Sequence, residues 1–424
     1  MIQIIQADGR AEQARIAAMR ARAAEVGADI EEAVSAVMGA VKEKGLSAVE
    51  AYSLKFDGKI PYEIPREELE AAYDRCADEL IAAMERAAAN IRDYNEKLLV
   101  QSMEWTSPDG GTVGRVVRGL TRVGLYVPGG TAAYPSSVLM NAVPAKVAGV
   151  EELIMVTPPT ENLNDAVLAA AKIAGVDRVI AVGGAQAIAA LTFGAGFIPK
   201  VDKLVGPGNA FVATAKRLAY GKVDIDMVAG PSEVLVIADE TANPAYVAAD
   251  LLSQAEHDRL ASAVLLTTSM ELARAVDAEI VRQAGYLSRS DIMEASLRDF
   301  GCAIVCDSLE QAISLANEIA PEHLEIVTED PRAVLPEIRN AGAVFLGEWS
   351  PEPLGDYLAG PNHVLPTSGT ARFFSPLSVD SFLKTMSIVA YSRDTLAPIR
   401  EQVVAMAEAE HLTAHANSIR VRFE

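Results

Sequence analysis

Several residue types are in short supply in this chain. It has 424 residues but only five histidines, three cysteines and two tryptophans, and aromatics make up 5 %. An odd, sparse cysteine count argues against a disulfide framework and suits a reducing cytoplasm. Cys302 and Cys306 bracket Ala-Ile-Val, which reads as a strand. Residues four apart on a strand are roughly 13 Å apart at ~3.3 Å per residue, too far for a disulfide. Positive charge is short as well. Lys and Arg number 37 against 58 Asp and Glu, a formal net charge of −21. That balance argues against a nucleic-acid partner and against an anionic membrane surface. No run approaches the ~20 apolar residues of a membrane span. The opening Met-Ile-Gln-Ile-Ile-Gln-Ala-Asp-Gly has no basic start or long apolar stretch, so no targeting segment is expected. The G-x-G-x-x-G fingerprint and the P-loop pattern are both absent.

Half of the residues are hydrophobic and 22 % are charged, an ordinary globular composition with core enough for two or three domains. Up to about residue 100 the pattern is helical. Arg10 to Val26, Ile30 to Glu43 and Arg66 to Leu99 repeat apolar residues at three and four, and the last reads as one long amphipathic helix. Packing and subunit contact are the roles expected of it. From about 115, short β-rich runs alternate with helices. Gly124-Leu-Tyr-Val, Leu153-Ile-Met-Val, Val179-Ile-Ala-Val and Leu204-Val each lead into a turn and a helix, and Val234-Leu-Val-Ile, Val264-Leu-Leu, Ala303-Ile-Val and Val344-Phe-Leu form a second series. Such alternation builds parallel sheets with ligands at the carboxyl ends of the strands. The expected fold is α/β: two Rossmann-like parallel-sheet domains, a helical N-terminal region and a small C-terminal dimerisation segment.

The rare histidines stand in short polar motifs. His257 ends Gln254-Ala-Glu-His, His323 follows Pro-Glu322, His363 ends Pro-Asn-His, and His415 ends Leu-Thr-Ala-His near Glu410. Gln254 and His257 close a helix that opens with Asn243-Pro244, a good start signal. Three residues apart, they project from one face and would offer two ligands to one ion. The same spacing also describes a solvated face. Asp356 and His363 lie in a Gly/Pro-rich stretch read as irregular loop. Imidazole and carboxylate ligands with an amide oxygen would favour a borderline divalent ion such as Zn²⁺. Adjacent Glu322 and His323 on an extended segment would point to opposite sides and flank a substrate rather than chelate together. Surface decoration is the alternative for such a pair. Gly129-Gly130, Gly183-Gly184 and Gly206-Pro-Gly208 are strand-end turns that let a ligand approach the backbone.

Taken together these motifs resemble the histidinol dehydrogenase family over nearly the whole chain. The resemblance rests on Gly124-Leu-Tyr-Val-Pro-Gly-Gly, Gly183-Gly-Ala-Gln-Ala-Ile-Ala, Val205-Gly-Pro-Gly-Asn and Asp226-Met-Val-Ala-Gly-Pro-Ser-Glu. It continues through Asp250-Leu-Leu-Ser-Gln-Ala-Glu-His-Asp, Ala320-Pro-Glu-His-Leu-Glu, Gly355-Asp-Tyr-Leu-Ala-Gly-Pro-Asn-His and Glu410-His-Leu-Thr-Ala-His, in the family's order. It implies one Zn²⁺ per subunit on Gln254, His257, Asp356 and His415, the last from the partner of a homodimer. It implies Glu322 and His323 as the catalytic pair, with substrate held by Ser232, His323, Glu410 and the zinc ligands. NAD⁺ would contact Tyr126, Gln186 and Asn209, and His363 would line the site; His411 has no role in this reading. The division that goes with it is an arm over 1–20, a first domain of 21–125 plus 235–377 bearing zinc and catalytic residues, a second of 126–234 on the NAD side, and a segment of 378–424 packing on the partner.

The implied reaction oxidises L-histidinol through L-histidinal to L-histidine with two NAD⁺, the last steps of histidine biosynthesis. Neutral His323 would take the hydroxyl proton and Glu322 would activate the water that adds to the aldehyde. Three rivals are weighed against it. A relative acting on another small polar alcohol, such as a sulfonated propanediol, conflicts with Glu410, which would repel a sulfonate. A zinc hydrolase would turn over without nicotinamide. A non-catalytic metal-binding oligomer would leave Glu322, His323 and the glycine turns idle.

Overall fold

The computed structural model describes residues 1–21, 28–129, 134–160, 163–228 and 230–424. The end of the expected helix up to Val26, Gly130 and Ala229 lie outside the described residues. Two parallel sheets and one small antiparallel sheet organise the chain. The first sheet runs, edge to edge, Gln3–Gln6, Cys302–Val305, Ser262–Thr267, Glu233–Ala238, His323–Val327 and Ala343–Leu346, with every pair parallel. The second runs Tyr62–Ile64, Arg178–Ala181, Glu152–Thr157, Arg122–Tyr126, Lys203–Val205 and Asp224–Ile225. Only its first strand is antiparallel. The third sheet is Leu383–Ala390, Thr112–Gly119 and Met103–Thr106.

Central strands here are apolar without alternation, as Glu233-Val-Leu-Val-Ile-Ala is buried at every residue. That pattern belongs to a sheet covered on both faces. The period of two still sorts the side chains. Val234, Val236 and Ala238 enter one core cluster, and Leu235 and Ile237 enter the cluster on the opposite face. The second sheet divides likewise, with Leu153 and Met155 on one side and Ile154 and Val156 on the other. Among the described residues no helix is long and apolar enough to cross a membrane.

The N-terminal third departs from the expected division. Strand Tyr62–Ile64 pairs with Arg178–Ala181, helix Ala28–Lys44 packs on helices Gly184–Phe193 and Ala210–Ala219, and helices Arg66–Arg75 and Asp78–Leu98 pack on Asp165–Ala174 and Pro135–Val147. Residues 28–98 therefore build the second sheet's layers, and do not join 235–377 as the grouping of 21–125 had it. The arm over 1–20 is no free arm either, because Gln3–Gln6 is an edge strand of the first sheet. Leu383–Ala390 pairs along its whole length with Thr112–Gly119, so part of the C-terminal segment belongs to its own chain's fold. The long helix expected from Arg66 to Leu99 is broken at Cys76 and Ala77, which adopt extended ψ angles of 151° and 140°. Each half thereby finds its own packing partner, and tertiary packing overrides propensity. Helix Leu46–Asp57, which the pattern did not reveal, lies between Gly45 and Gly58, both at positive φ.

Candidate active site

Several of the expected site residues gather at the amino end of the first sheet. His323 opens its strand, in register with Val234 on one side and Ala343 on the other. Ser232 just precedes strand Glu233–Ala238, half-buried, and its carbonyl accepts from the Ser262 N–H at 3.0 Å. Gln254 closes helix Pro244–Ala255, which runs back antiparallel to the strands. The carboxyl-end placement expected for an open parallel sheet therefore fails here. Helix ends and strand starts meet at the opposite edge, and they supply these side chains.

Glu322 and His323 come closer than strand alternation allowed. The backbone is not yet extended at Glu322, since it follows Ala320 at φ 55° and Pro321. Glu322 Oε2 accepts from Glu233 N–H at 2.8 Å, while His323 Nδ1 lies 3.0 Å from the Glu233 carbonyl oxygen. Glu322 Oε2 and His323 Nδ1 stand 3.7 Å apart. Both side chains are buried. Burial pushes the Glu322 carboxyl up to about 8. For His323 burial works against protonation, but Glu322, Asp356 and Glu352 outweigh it and raise the imidazole to about 10. The acidic groups around the ring thus favour its protonated form unless a cation balances them.

His257, Glu352 and Asp356 place one potential ligand atom each within 4.8 Å of one another. His257 lies just past the last turn of its helix, its N–H 3.2 Å from the Gln254 carbonyl. Gln254 is fully buried, not a residue of a solvated face. With its amide turned so that nitrogen faces Glu352, it would donate to both Glu352 oxygens at 2.8 and 3.0 Å, and its oxygen would share with Glu322 the Glu233 N–H, 2.7 Å away. Asp356 sits on a short helix, Glu352–Tyr357, rather than in irregular loop. A Cβ on Gly355 would stand 2.6 Å from the Phe345 ring, so glycine lets this helix lie against the sheet and present the next residue. Asp356 Oδ1 is 3.7 Å from His323 Nε2. Burial would raise Asp356, but His323 close by and the imidazoles of His363 and His257 hold it below the usual range. His257, at the open rim, and enclosed His363 are both pushed down by desolvation, which favours the neutral imidazole that His257 would need as a metal ligand.

His323, Asp356 and His363 line one cavity of about 530 Å³ together with Phe345 and Leu377. Nε2 of His323 and of His363 are buried without a hydrogen-bond partner among the described residues. The adjoining Asn362 amide donates to the Met140 carbonyl at 2.5 Å and ties this wall to the second sheet's helix Pro135–Val147. Neutral imidazole, two carboxylates and an amide at one focus, facing an unpartnered buried nitrogen, fit a divalent ion of borderline hardness. Not every expected ligand is brought there. His415, on helix Thr413–Arg420, and Glu410, just past helix Arg400–Ala409, are exposed. Their helices share a small cluster of Val404, Ala407 and Ala416.

Four carboxylates went unnoticed in the sequence. Glu352 is buried and raised to about 7 by desolvation. Glu325 accepts from Glu352 N–H at 2.8 Å, and it and Asp250 are both pushed up by burial, Asp250 to about 6. Glu233 meets Glu322 and His323 through its backbone. A charged residue within the apolar strand Leu324-Glu-Ile-Val was the available signal for Glu325. Glu352, between two prolines, offered none.

The second group of expected residues lies at the carboxyl ends of the second sheet, where an open parallel sheet offers its crevice. Tyr126 ends its strand, and its hydroxyl accepts from the Gly184 N–H at 3.2 Å. Gln186, buried on the next helix, donates to Asp57 at 3.2 Å. Asn209 caps helix Ala210–Ala219, accepting from Phe211 and Val212 N–H at 3.1 and 3.2 Å. Cβ atoms on Gly129 and Gly183 would both press on Pro158, and one on Gly206 would stand 2.1 Å from the Tyr126 carbonyl oxygen. These turns leave a helix N-terminus and bare backbone facing the space beyond the strands.

Acid–base and ligand groups lie beneath one parallel sheet and glycine turns over another, an arrangement that suits an α/β oxidoreductase using a dinucleotide. The chain belongs to the histidinol dehydrogenase family, whose sequence model matches residues 20–423. It is 54 % identical over 429 residues to histidinol dehydrogenase of Clostridium acetobutylicum, covering 100 % of this chain and 99 % of that one. It is 55 % identical over 401 residues to the enzyme of Caldanaerobacter subterraneus subsp. tengcongensis, covering 93 % of each. The crystal structure of histidinol dehydrogenase from Elizabethkingia anophelis superposes with a TM-score of 0.94 at 38 % identity, over 100 % of this chain and 98 % of that one.

Proposed function

We propose that this protein oxidises L-histidinol through L-histidinal to L-histidine, consuming two NAD⁺, as the final steps of histidine biosynthesis. The observation that carries this reading is the chain of close approaches that links Glu322 to His323, His323 to Asp356 and Asp356 to His257, in a chain of this family. Gln254, His257 and Asp356 would hold one zinc per subunit with His415 of the partner subunit, and Glu352 would brace Gln254. Zinc, when bound, supplies a positive charge that orients the imidazole and amine of the substrate and offsets the carboxylates around His323. NAD⁺ supplies the hydride acceptor, and Tyr126, Gln186 and Asn209 would contact it.

The protein's own residues handle protons and position. His323 bonds the Glu233 carbonyl through Nδ1–H, which leaves Nε2 to take the proton of the substrate hydroxyl as its carbon loses hydride. Glu322, on the other side of Glu233, takes a proton from the water that adds to the aldehyde, so the hydrate can lose a second hydride. Ser232, and Glu410 of the partner subunit, would complete the substrate contacts, with the Glu410 carboxylate facing the amine. The exposure of Glu410 and His415 on a helical pair remote from their own chain's cores supports a homodimer with shared sites. The sulfonated-propanediol alternative gains nothing from the geometry, since the site is crowded with carboxylates that repel a sulfonate.

The test is NADH formed from L-histidinol by zinc-replete protein. Two equivalents per histidinol are expected. No NADH from metal-replete protein would overturn the reading, and a single equivalent would end the four-electron assignment.

A further inference from the structure

The Gly206-Pro207-Gly208 turn is gripped from beneath by a buried ion pair that the chemistry above does not use. The side chains of Lys216 and Asp226 are 4 % and 2 % exposed and paired directly. Lys216 Nζ donates to the Gly206 carbonyl at 2.8 Å, and Gly206 N–H donates to Asp226 Oδ2 at 2.8 Å. Two opposite charges thus bind both backbone polar groups of one glycine. Asp226 Oδ1 also accepts from Met227 N–H at 2.6 Å. Lys216 reaches back along helix Ala210–Ala219, while Asp226 directly follows edge strand Asp224–Ile225 and donates its own N–H to the Leu204 carbonyl at 3.1 Å. The pair therefore ties helix, edge strand and turn together.

Gly206 itself has no freedom to spare. Its φ is +106°, and a Cβ there would lie 2.1 Å from the Tyr126 carbonyl oxygen. Asn209, three residues on, caps the same helix that carries Lys216. A buried ion pair is a poor source of stability, since neutral side chains of similar volume often serve as well. What it adds is a fixed distance between charged groups that cannot be left unpaired. We propose that Lys216 and Asp226 are positioning residues for the dinucleotide: they fix the height of the Gly206 turn against Tyr126 and so place Asn209. The inference rests on the reading of Tyr126, Gln186 and Asn209 as NAD contacts.

The double variant Lys216→Met with Asp226→Asn tests it. Methionine keeps the bulk of the lysine stem, asparagine keeps an acceptor for Gly206 N–H, and no charge is left alone. We expect the KM for NAD⁺ to rise about tenfold as the turn relaxes, with the KM for L-histidinol, kcat at saturating NAD⁺ and zinc content within about twofold of the parent. Asp226→Asn alone, which strands the lysine charge, should shift NAD⁺ KM in the same direction and also lower Tm. An unchanged NAD⁺ KM in the folded double variant would overturn the proposal. Equal losses for both substrates, or failure of both variants to fold, would make the pair merely structural and overturn it too. Asn209→Ala, measured in parallel, separates the layers. If it leaves the NAD⁺ KM unchanged, the dinucleotide reading itself fails; if it raises that KM and the double variant does not, only the positioning role fails.

Discussion

His323 Nδ1 lies 3.0 Å from the carbonyl oxygen of Glu233, and a carbonyl can only accept. Nδ1 therefore carries hydrogen, and the proton that can be exchanged belongs to Nε2, which is buried and has no hydrogen-bond partner among the described residues. Removing the ring should cost turnover and spare the metal, because the potential ligand atoms gathered nearby belong to His257, Glu352 and Asp356. His323→Ala is expected to lower kcat about 10²–10⁴-fold with zinc content near that of the parent. Loss of zinc in this variant would show that His323 is a ligand and that the base lies elsewhere.

Glu322 gives a pH test with a definite sign. Its carboxyl is raised from 4.5 to about 8 by burial in the folded protein. Between those values the folded chain keeps a proton that the unfolded chain has lost, so stability falls as pH rises. The slope for one such group is up to about 1.4 kcal/mol per pH unit. Metal-free protein should therefore show a Tm that declines from pH 5 to 8, and Glu322→Gln should flatten the profile. A Tm that climbs across this window, or a slope the same in Glu322→Gln, would contradict the assignment.

Glu352 is expected to act on the metal through Gln254, whose amide nitrogen, turned to face it, it would hold at 2.8 and 3.0 Å. Glu352→Gln would replace one of the two acceptor oxygens with an NH₂ group and remove the negative charge, so the Gln254 amide would be held less firmly. Such supporting contacts typically govern about 10–100-fold in metal affinity. Competition with a chelator should show zinc affinity falling by about that factor. An affinity equal to the parent's would mean that Gln254 needs no brace.

Much of this could be read from the sequence because local rules governed it. The apolar runs at 153, 179, 234 and 264 are strands, and Asn243-Pro244 starts its helix where capping chemistry places it. Glu322, His323, His257 and Asp356 stood out because imidazole is rare and flanked by turns. What stayed hidden depends on tertiary contact. Glu233 matters through its backbone, which no side-chain motif reports. The break at Cys76 follows from two packing partners far along the chain, and Tyr62–Ile64 joins the second sheet by a pairing more than a hundred residues distant. That Ser232, Gln254, Glu322 and His323 meet at the amino end of the first sheet was concealed by the rule that looks to carboxyl ends, where Tyr126 of the second sheet lies.

Shared sites make a prediction that single-chain defects cannot imitate. His323 is buried at the sheet, while His415 is exposed on the C-terminal helix. If His415 serves the partner's cavity, a dimer mixing His323→Ala with His415→Ala subunits carries both defects in one site and neither in the other. Each parent should be nearly inactive, with zinc lowered in His415→Ala and retained in His323→Ala. Unfolding and refolding the two together should restore turnover and part of the zinc that neither separate sample shows. If the refolded mixture is only as active as its parents while wild-type protein survives the same treatment, His415 works within its own subunit and the shared site is wrong.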